Sequence, residues 1–269
     1  MRVSINEEEI PVARLIFPDG QPHVELSHVP NGETVYIRVA IRTPNELMDL
    51  LLVNNVLVAR SNRVSVRITY LMGARMDRPI NMFQPNTFKV VCEQLMAARF
   101  PSIDVIDVHN VRALHEYLPH ARNILPDFQI STMLRGYKTT DTLLIYPDAG
   151  AVTRASIIKH GFHTVQCVKT RDPNNGKLSN FAVDKDTAWN IRGKRCIIID
   201  DICDGGATFI GLSKLLREEH GAKSVDLFVT HGIFSKGFPL DGIDHVFTTN
   251  SYTDEYPELT SEYLTVYRI

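Results

Sequence analysis

Two kinds of hydrophobic pattern alternate along this chain. Short apolar or β-branched runs, as expected of strands, are followed by longer stretches whose apolar residues recur every three or four positions, as expected of helices. Strands are predicted over residues 35–41, 64–70 and 103–108. Helices are predicted at 44–59, with Leu47, Leu50, Leu51 and Val58 on one side, and at 83–99. A second series has strands at 142–146, 164–168, 195–199, 224–230 and 245–248, with helices at 153–160 and 208–220. Gly221 follows the last of these helices, where a glycine stop is common. Repeated β-α-β order implies an α/β protein with largely parallel sheets flanked by helices. The least periodic region, about residues 119–141, holds Pro119, Pro126 and Gly136. It predicts two domains of similar architecture, 1–130 and 131–269.

The chemistry gathers where strands end. Cys196-Ile197-Ile198-Ile199 reads as a strand buried on both faces, and Asp200, Asp201 and Asp204 follow it. Open α/β sheets bind ligands at the carboxyl ends of their strands. Gly205 and Gly206 let backbone amides approach an anion. Ala207 and Thr208 open the next helix, whose N-terminus favours negative charge. Carboxylates beside a phosphate cradle suit a phosphorylated sugar. An ordinary capped strand-turn-helix connection has the same residues, so one loop alone leaves both readings open.

Four further segments carry candidate groups. Asp148 ends the 142–146 run ahead of small residues and could ligate Mg²⁺, or serve only as a turn residue. Lys169 and Arg171 head a polar Pro/Gly stretch at 170–177, read as a mobile loop or hairpin tip that could close over a phosphoryl group, or as two solvated charges. His109, after Asp107, could be a metal or phosphate ligand or a structural histidine. Arg75 and Arg78 could hold a triphosphate or sit on a charged surface loop. Phe17-Pro18-Asp19-Gly20-Gln21 reads as a Pro-Asp-Gly turn.

Composition narrows the field. The chain has 269 residues, 44% hydrophobic and 22% charged, as expected of a globular protein. A formal net charge of −2 supplies neither a basic field for nucleic acid nor a polybasic membrane signal. No apolar run approaches the ~20 residues that cross a bilayer. The N-terminal stretch lacks the apolar core of a leader, and the four cysteines form no C-x-x-C pair. A cytoplasmic protein with reduced, buried thiols is expected.

Taken in order, these segments resemble the ribose-phosphate diphosphokinases, also called phosphoribosyl pyrophosphate synthetases. The resemblance rests on Phe17-Pro18-Asp19-Gly20, Asn45 to Leu51, Ala74-Arg75-Met76-Asp77-Arg78, Asp107-Val108-His109, Pro147-Asp148-Ala149-Gly150, Asp200-Asp201-Ile202-Cys203-Asp204 and Thr230-His231-Gly232-Ile233-Phe234-Ser235. It implies two phosphoribosyltransferase-like (type I) α/β domains, an ATP side and a ribose-phosphate side, with the active site between them. The implied reaction is Mg²⁺-dependent transfer of the β,γ-diphosphate of ATP to the C1 hydroxyl of ribose 5-phosphate. The resemblance makes Lys169 and Arg171 the catalytic cations. It makes Phe17, Asp19, Gln21, Arg75, Asp77 and His109 ATP-side residues, and His109 and Asp148 metal-linked. Asp200, Asp201, Asp204, Gly205, Gly206, Ala207 and Thr208 would hold the ribose phosphate. In the family a hairpin bearing Phe17, Asp19 and Gln21 reaches an adenine across a subunit interface, which implies a homo-oligomer, a dimer or an assembly of dimers.

The chain departs from the family pattern at three places. Gly205 stands where Thr is usual and Ala207 where Gly is usual; Gln21 replaces an acid, and Met76 replaces Gln. The opened loop admits an alternative acceptor, ADP-ribose, as in some relatives of an NAD-rebuilding route. The ATP-side changes admit a non-catalytic regulatory homologue, against which the retained Asp148, His109, Lys169 and Arg171 argue.

Overall fold

A computed structural model describes residues 1–148, 150–151, 161–171, 178–184, 190–256 and 262–269, with the backbone alone at 169–171 and 178–180. The chain divides into two compact units, Met1–Leu125 and Pro126–Ile269.

The first unit begins with β1 (Arg2–Ile5), β2 (Glu8–Ile10), β3 (Val12–Ile16), β4 (Pro22–Leu26) and β5 (Thr34–Ile41). It continues with α1 (Pro44–Val58), β6 (Arg63–Leu71), α2 (Thr87–Ala97), β7 (Ser102–Ile106), α3 (Val111–Tyr117) and β8 (Ala121–Ile124). Six strands form a sheet in the order β2-β1-β5-β6-β7-β8. β5 to β8 run parallel, and β1 and β2 add an antiparallel edge. β3 and β4 form a separate hairpin. The hydrophobic pattern predicts none of β1 to β4, each only three to five residues long, but β3 and β4 form the hairpin that the family resemblance implies around Phe17, Asp19 and Gln21.

α1 starts where its sequence says it should. Thr43 accepts from the Glu46 amide at 3.3 Å, Glu46 accepts from the Thr43 amide at 2.9 Å, and Pro44 occupies the first turn. Its buried stripe is Leu50, Val53, Asn54 and Leu57, with Asp49 beside it. Val58, expected on the apolar side, is 52% exposed, because it lies one position past that stripe. The second helix is shorter than expected. It starts at Thr87, after Pro85, where the Asn86 side chain caps it by accepting from the Lys89 amide at 2.9 Å. Phe83, expected inside that helix, is 89% exposed ahead of it.

The second unit holds α4 (Asp127–Leu134), β9 (Thr142–Tyr146), β10 (His163–Arg171), β11 (Leu178–Val183), β12 (Arg195–Cys203) and α5 (Ala207–Lys214). A π-helical turn (Leu215–Glu219), β13 (Ser224–Gly232), β14 (His245–Thr249) and β15 (Leu264–Tyr267) follow. The sheet order is β11-β10-β9-β12-β13-β14-β15, parallel except for β10 with β11. α4 spans residues 130 and 131, so the division of the chain precedes this helix rather than cutting it. The helix expected at 153–160 lies outside the described residues.

The central strands are covered on both faces, as their unbroken apolar runs require. Leu143, Ile145, Cys196 and Ile198 join one core with Phe209 and Leu212 of α5. Leu144, Tyr146, Ile197 and Ile199 join a second with Ile130 and Met133 of α4. All four cysteines are buried and free. Among the described residues no helix is long and apolar enough to cross a membrane.

Beside this second core, Tyr137 donates from its hydroxyl to Asp226 Oδ2 at 2.7 Å. Burial pushes the Asp226 carboxyl above its ordinary value; Asp244 adds to this, and the Tyr137 hydrogen bond, His245 and Arg195 oppose it. A raised carboxyl favours folding most when protonated, so its penalty grows as pH rises through the folded value. Asp226→Asn keeps an oxygen for Tyr137 and removes the buried charge. It is expected to stabilise the chain by about 1 kcal/mol at pH 7. Denaturant titrations should show the gain shrinking as pH falls toward 4.

Candidate active site

In the first unit the candidate residues lie on two kinds of element. Phe17, Asp19 and Gln21 form the tip of the β3–β4 hairpin. The Phe17 amide donates to Gln21 O at 2.9 Å, and the Gly20 amide to Phe17 O at 2.8 Å. The two Asp19 carboxylate oxygens accept from the Gln21 backbone amide and from its side-chain amide, each at 3.1 Å. The Pro-Asp-Gly turn is therefore present and pinned by Asp19, and Gln21 is its internal partner. Leu15, Ile16 and Phe17 are 44%, 57% and 50% exposed. The hairpin stem is held by Arg14 Nε on Asp49 Oδ2 at 2.6 Å. Burial pushes the Asp49 carboxyl up, and Arg14 draws it back.

Arg75, Asp77 and His109 sit beyond the carboxyl ends of the neighbouring parallel strands β6 and β7. Gly73, with φ of +78°, turns the chain after β6, and a Cβ there would lie 3.3 Å from Thr87 Cγ2. Arg75 and His109 are exposed. Asp77 ties the two loops together. Its Oδ2 accepts from Asn110 Nδ2 at 2.5 Å, and its carbonyl accepts from Asn86 Nδ2 at 2.8 Å. Asn86 and Asn110 are also the N-caps of α2 and α3. One residue thus ties the Arg75 loop to two helix starts, its carboxylate holding Asn110 beside His109 and its backbone carbonyl holding Asn86. The asparagines went unnoticed in the sequence, although each stands just ahead of a helix, where a cap is expected.

If Asp77 works as this bracket, its hydrogen bonds matter and its charge does not. Asp77→Asn is expected to keep ATP KM within about threefold, because an amide oxygen still accepts from Asn110. Asp77→Ala is expected to raise it about tenfold and to cost about 1–2 kcal/mol of stability. Initial-rate kinetics on the two variants separate the bracket from a charge contact, for which Asn would fail as badly as Ala.

In the second unit four neighbouring parallel strands, in the order β10-β9-β12-β13, bring their carboxyl ends to one edge of the sheet. Asp148 follows β9. Its Oδ1 accepts from the Ala151 amide at 3.0 Å, so one carboxylate oxygen serves the turn. Lys169 and Arg171 lie within β10 rather than in a loop after it. Pairing with β11 lengthens that strand, with Lys169 opposite Phe181 and Arg171 opposite Leu178. Of the loop expected at 170–177, Thr170 and Arg171 belong to β10, and 172–177 lies outside the described residues. β11 is anchored on α5 at Gly211, where a Cβ would lie 2.5 Å from Phe181 Cε2.

The acids of β12 also sit differently from their expected place after the strand. β12 continues to Cys203, and strand alternation turns Asp200 and Asp201 to opposite faces. Asp201 is 2% exposed, whereas Asp200 is half-buried and its Oδ1 accepts from the Asp201 amide at 3.0 Å. Asp204 begins the turn. Gly206 is left-handed, with φ of +76°, and precedes α5 without a capping side chain. The opening of α5 at Ala207 and Thr208 therefore has no capping side chain at its N-cap position. The segment after β13 folds over this turn. The Ile233 amide donates to Cys203 O at 2.8 Å, and Ser235 Oγ donates to Asp204 Oδ1 at 2.5 Å. In the sequence Ser235 stands out only as the end of the Thr230 to Ser235 motif.

Among the described residues no three His, Cys, Asp or Glu side chains gather as a preformed metal cage. Mg²⁺ commonly keeps its waters and takes one or two carboxylates besides substrate phosphates, so a single hard donor such as Asp148 fits that ion. The His109 imidazole suits a phosphate oxygen or a metal-bound water better than Mg²⁺ itself.

The phosphoribosyl transferase domain family matches residues 128–255. A ribose-phosphate pyrophosphokinase of Maricaulis maris (strain MCS10) is 30% identical over 226 residues, 82% of this chain and 71% of that protein. Its counterpart in Mycoplasmopsis pulmonis (strain UAB CTIP) is 29% identical over 262 residues, 94% of this chain and 79% of that protein. A crystal structure of phosphoribosylpyrophosphate synthetase from Mycobacterium smegmatis aligns with a TM-score of 0.78 over 96% of this chain and 86% of that one. At 22% identity that likeness is one of fold.

Proposed function

The chain belongs to the ribose-phosphate pyrophosphokinase family, and from that premise we propose that it transfers the β,γ-diphosphate of ATP to ribose 5-phosphate, giving phosphoribosyl pyrophosphate and AMP. The observation that carries this reading within the chain is the carboxyl edge of the seven-stranded sheet. It gathers an uncapped helix start behind Gly206, the acids Asp200 and Asp204, and the strand bearing Lys169 and Arg171.

The C1 hydroxyl oxygen of the ribose attacks the β-phosphorus of ATP. The bond from that phosphorus to the oxygen bridging it to the α-phosphorus breaks, AMP leaves with that oxygen, and the hydroxyl proton passes to solvent. Such a transfer needs charge neutralisation and in-line placement more than a covalent nucleophile. Lys169 and Arg171 supply cations for the charge on the transferring group. Half-buried Asp200 accepts from ribose hydroxyls, and buried Asp201 backs it from the other face of β12. The 204–208 turn takes the 5′-phosphate. Arg75 takes ATP phosphates, with Asp77 setting its loop. Mg²⁺ would be held by Asp148 together with phosphate oxygens and would neutralise phosphate charge, and His109, in the first unit, would take an ATP phosphate oxygen.

The exposed hairpin tip, with Phe17, Asp19 and Gln21, fits a second copy of this chain, so a homo-oligomer belongs to the proposal. Four buried free thiols and an ATP-consuming reaction support a cytoplasmic setting. AMP release from ATP and Mg²⁺, with ribose 5-phosphate and ADP-ribose compared side by side, tests the reading. Turnover with ribose 5-phosphate is expected. AMP formed with ADP-ribose alone would overturn the acceptor, and AMP with neither would overturn the activity.

A further inference from the structure

Gly205 and Lys236 are packed as a pair. A Cβ added to Gly205 would lie 3.1 Å from Lys236 Cδ, 3.3 Å from Cε and 3.4 Å from Cγ. The stem of Lys236 therefore lies along the backbone of the 204–208 turn, with its ammonium one bond beyond Cε. Ser235 fixes the segment, since its amide donates to Asp204 O at 3.2 Å and its hydroxyl to Asp204 Oδ1 at 2.5 Å. Leu240 completes the cover, lying 2.6 Å from where a Gly206 Cβ would stand. Lys236 is exposed and has no ion-pair partner among the described residues. Two positive features thus meet at one turn: a lysine charge without a partner and the uncapped start of α5. Placed together they repel each other, and an anion between them relieves that repulsion.

We propose that Lys236 is a phosphate-binding residue of the acceptor site, and that Gly205 and Lys236 act as a coupled pair. The glycine gives up a side-chain hydroxyl at the turn, and the room it leaves admits the lysine stem. The inference rests on the reading of 204–208 as the phosphate cradle. It assigns to that cradle a cation that the turn sequence does not itself contain. The ligand chemistry is a phosphate on the 5′ side of the ribose, whether the terminal phosphate of ribose 5-phosphate or the first phosphate of a sugar diphosphate.

Calorimetric binding tests this without relying on turnover. Lys236→Met keeps the stem and removes the charge, and Lys236→Arg keeps a charge. Titrations use ribose 5-phosphate, ADP-ribose and inorganic phosphate, with thermal melts to check folding. Lys236→Met is expected to weaken ribose 5-phosphate about 10–100-fold with an unchanged melting temperature, and Lys236→Arg to restore most of it. Loss with ribose 5-phosphate alone places the ammonium on a terminal phosphate. Loss with both sugars places it on the phosphate next to the ribose, and either result supports the proposal. The coupling has its own test. Gly205→Thr is expected to weaken ribose 5-phosphate when Lys236 is present and to add little further loss to that of Lys236→Ala, since the cation it would displace is already gone. Wild-type affinity in a folded Lys236→Met that still releases AMP would overturn the proposal and leave the proposed reaction standing. If the native chain releases no AMP, yet inorganic phosphate binds about tenfold more weakly to Lys236→Met, the reaction falls and the phosphate contact stands.

Discussion

Lys169→Ala is expected to lower kcat by about 30- to 1,000-fold, or about 2–4 kcal/mol of transition-state stabilisation, with little change in the KM of either substrate. Negative charge shifts among the phosphate oxygens as the β,γ-diphosphate passes between two oxygens. A cation that meets this charge chiefly in the transition state lowers the barrier without tightening the ground state. Position decides how much of that gain is realised, because preorganised charge is not lost to reorganisation. Here the backbone at residue 169 belongs to a paired strand. Lys169 lies opposite Phe181 in β11, and the Phe181 ring fills the space that Gly211 leaves on α5. The cation is thereby hung from a helix of the domain core rather than from a free loop. Arg171, near the end of the same strand where the register shifts at 170/171, is expected to show a loss of similar kind when changed to Ala. Initial rates over both substrates check this. A rise in KM at constant kcat would make Lys169 a ground-state binding residue instead. A loss in kcat with Lys169→Arg as deep as with Lys169→Ala would show that geometry, rather than charge alone, sets its contribution.

How much of this was legible in the sequence depends on how local each determinant is. The run Cys196 to Ile199 announced a strand covered on both faces, and its alternate residues do divide between two cores. The capping box at Thr43 and Glu46 lies within four residues, and α1 starts at Pro44. Strand ends were less legible, because pairing decides them. β12 runs on through Asp200 and Asp201 since β13 continues beside it, with Asp200 opposite Val229 and Cys203 opposite Gly232. β10 likewise reaches Arg171 only because β11 returns along it. The least periodic stretch contains β8 and all of α4, elements of four and eight residues, too short for a clear period. Within the candidate site, contacts distant in sequence were invisible. Asp77 meets Asn110 across 33 residues, and Asp204 meets Ser235 across 31. Lys236 escaped for a further reason, since its partner Gly205 has no side chain with which to signal an interaction.

Gly206 is the position in the acceptor turn least able to accept a side chain. Gly206→Ala is expected to cost about 1–3 kcal/mol of stability and to raise the KM for ribose 5-phosphate more than tenfold. Two effects add. With φ at +76° the residue lies in the left-handed region, which penalises an L side chain by about 1–2 kcal/mol. The new Cβ would also stand 2.6 Å from Leu240 Cδ2, in the segment that covers the turn. Relief comes by moving Leu240 outward or by turning the backbone, and either disturbs the amides that face the phosphate. Gly205→Ala serves as the internal comparison. Gly205 lies outside the left-handed region, and its Cβ would meet the flexible Lys236 stem at 3.1 Å. Its loss of stability should therefore stay below about 1 kcal/mol, while its effect on ribose 5-phosphate passes through the displaced lysine. Urea denaturation and substrate titration on the two variants check the contrast. Equal stability losses would show that close packing under the 233–240 segment, rather than the left-handed backbone, is what requires the two glycines.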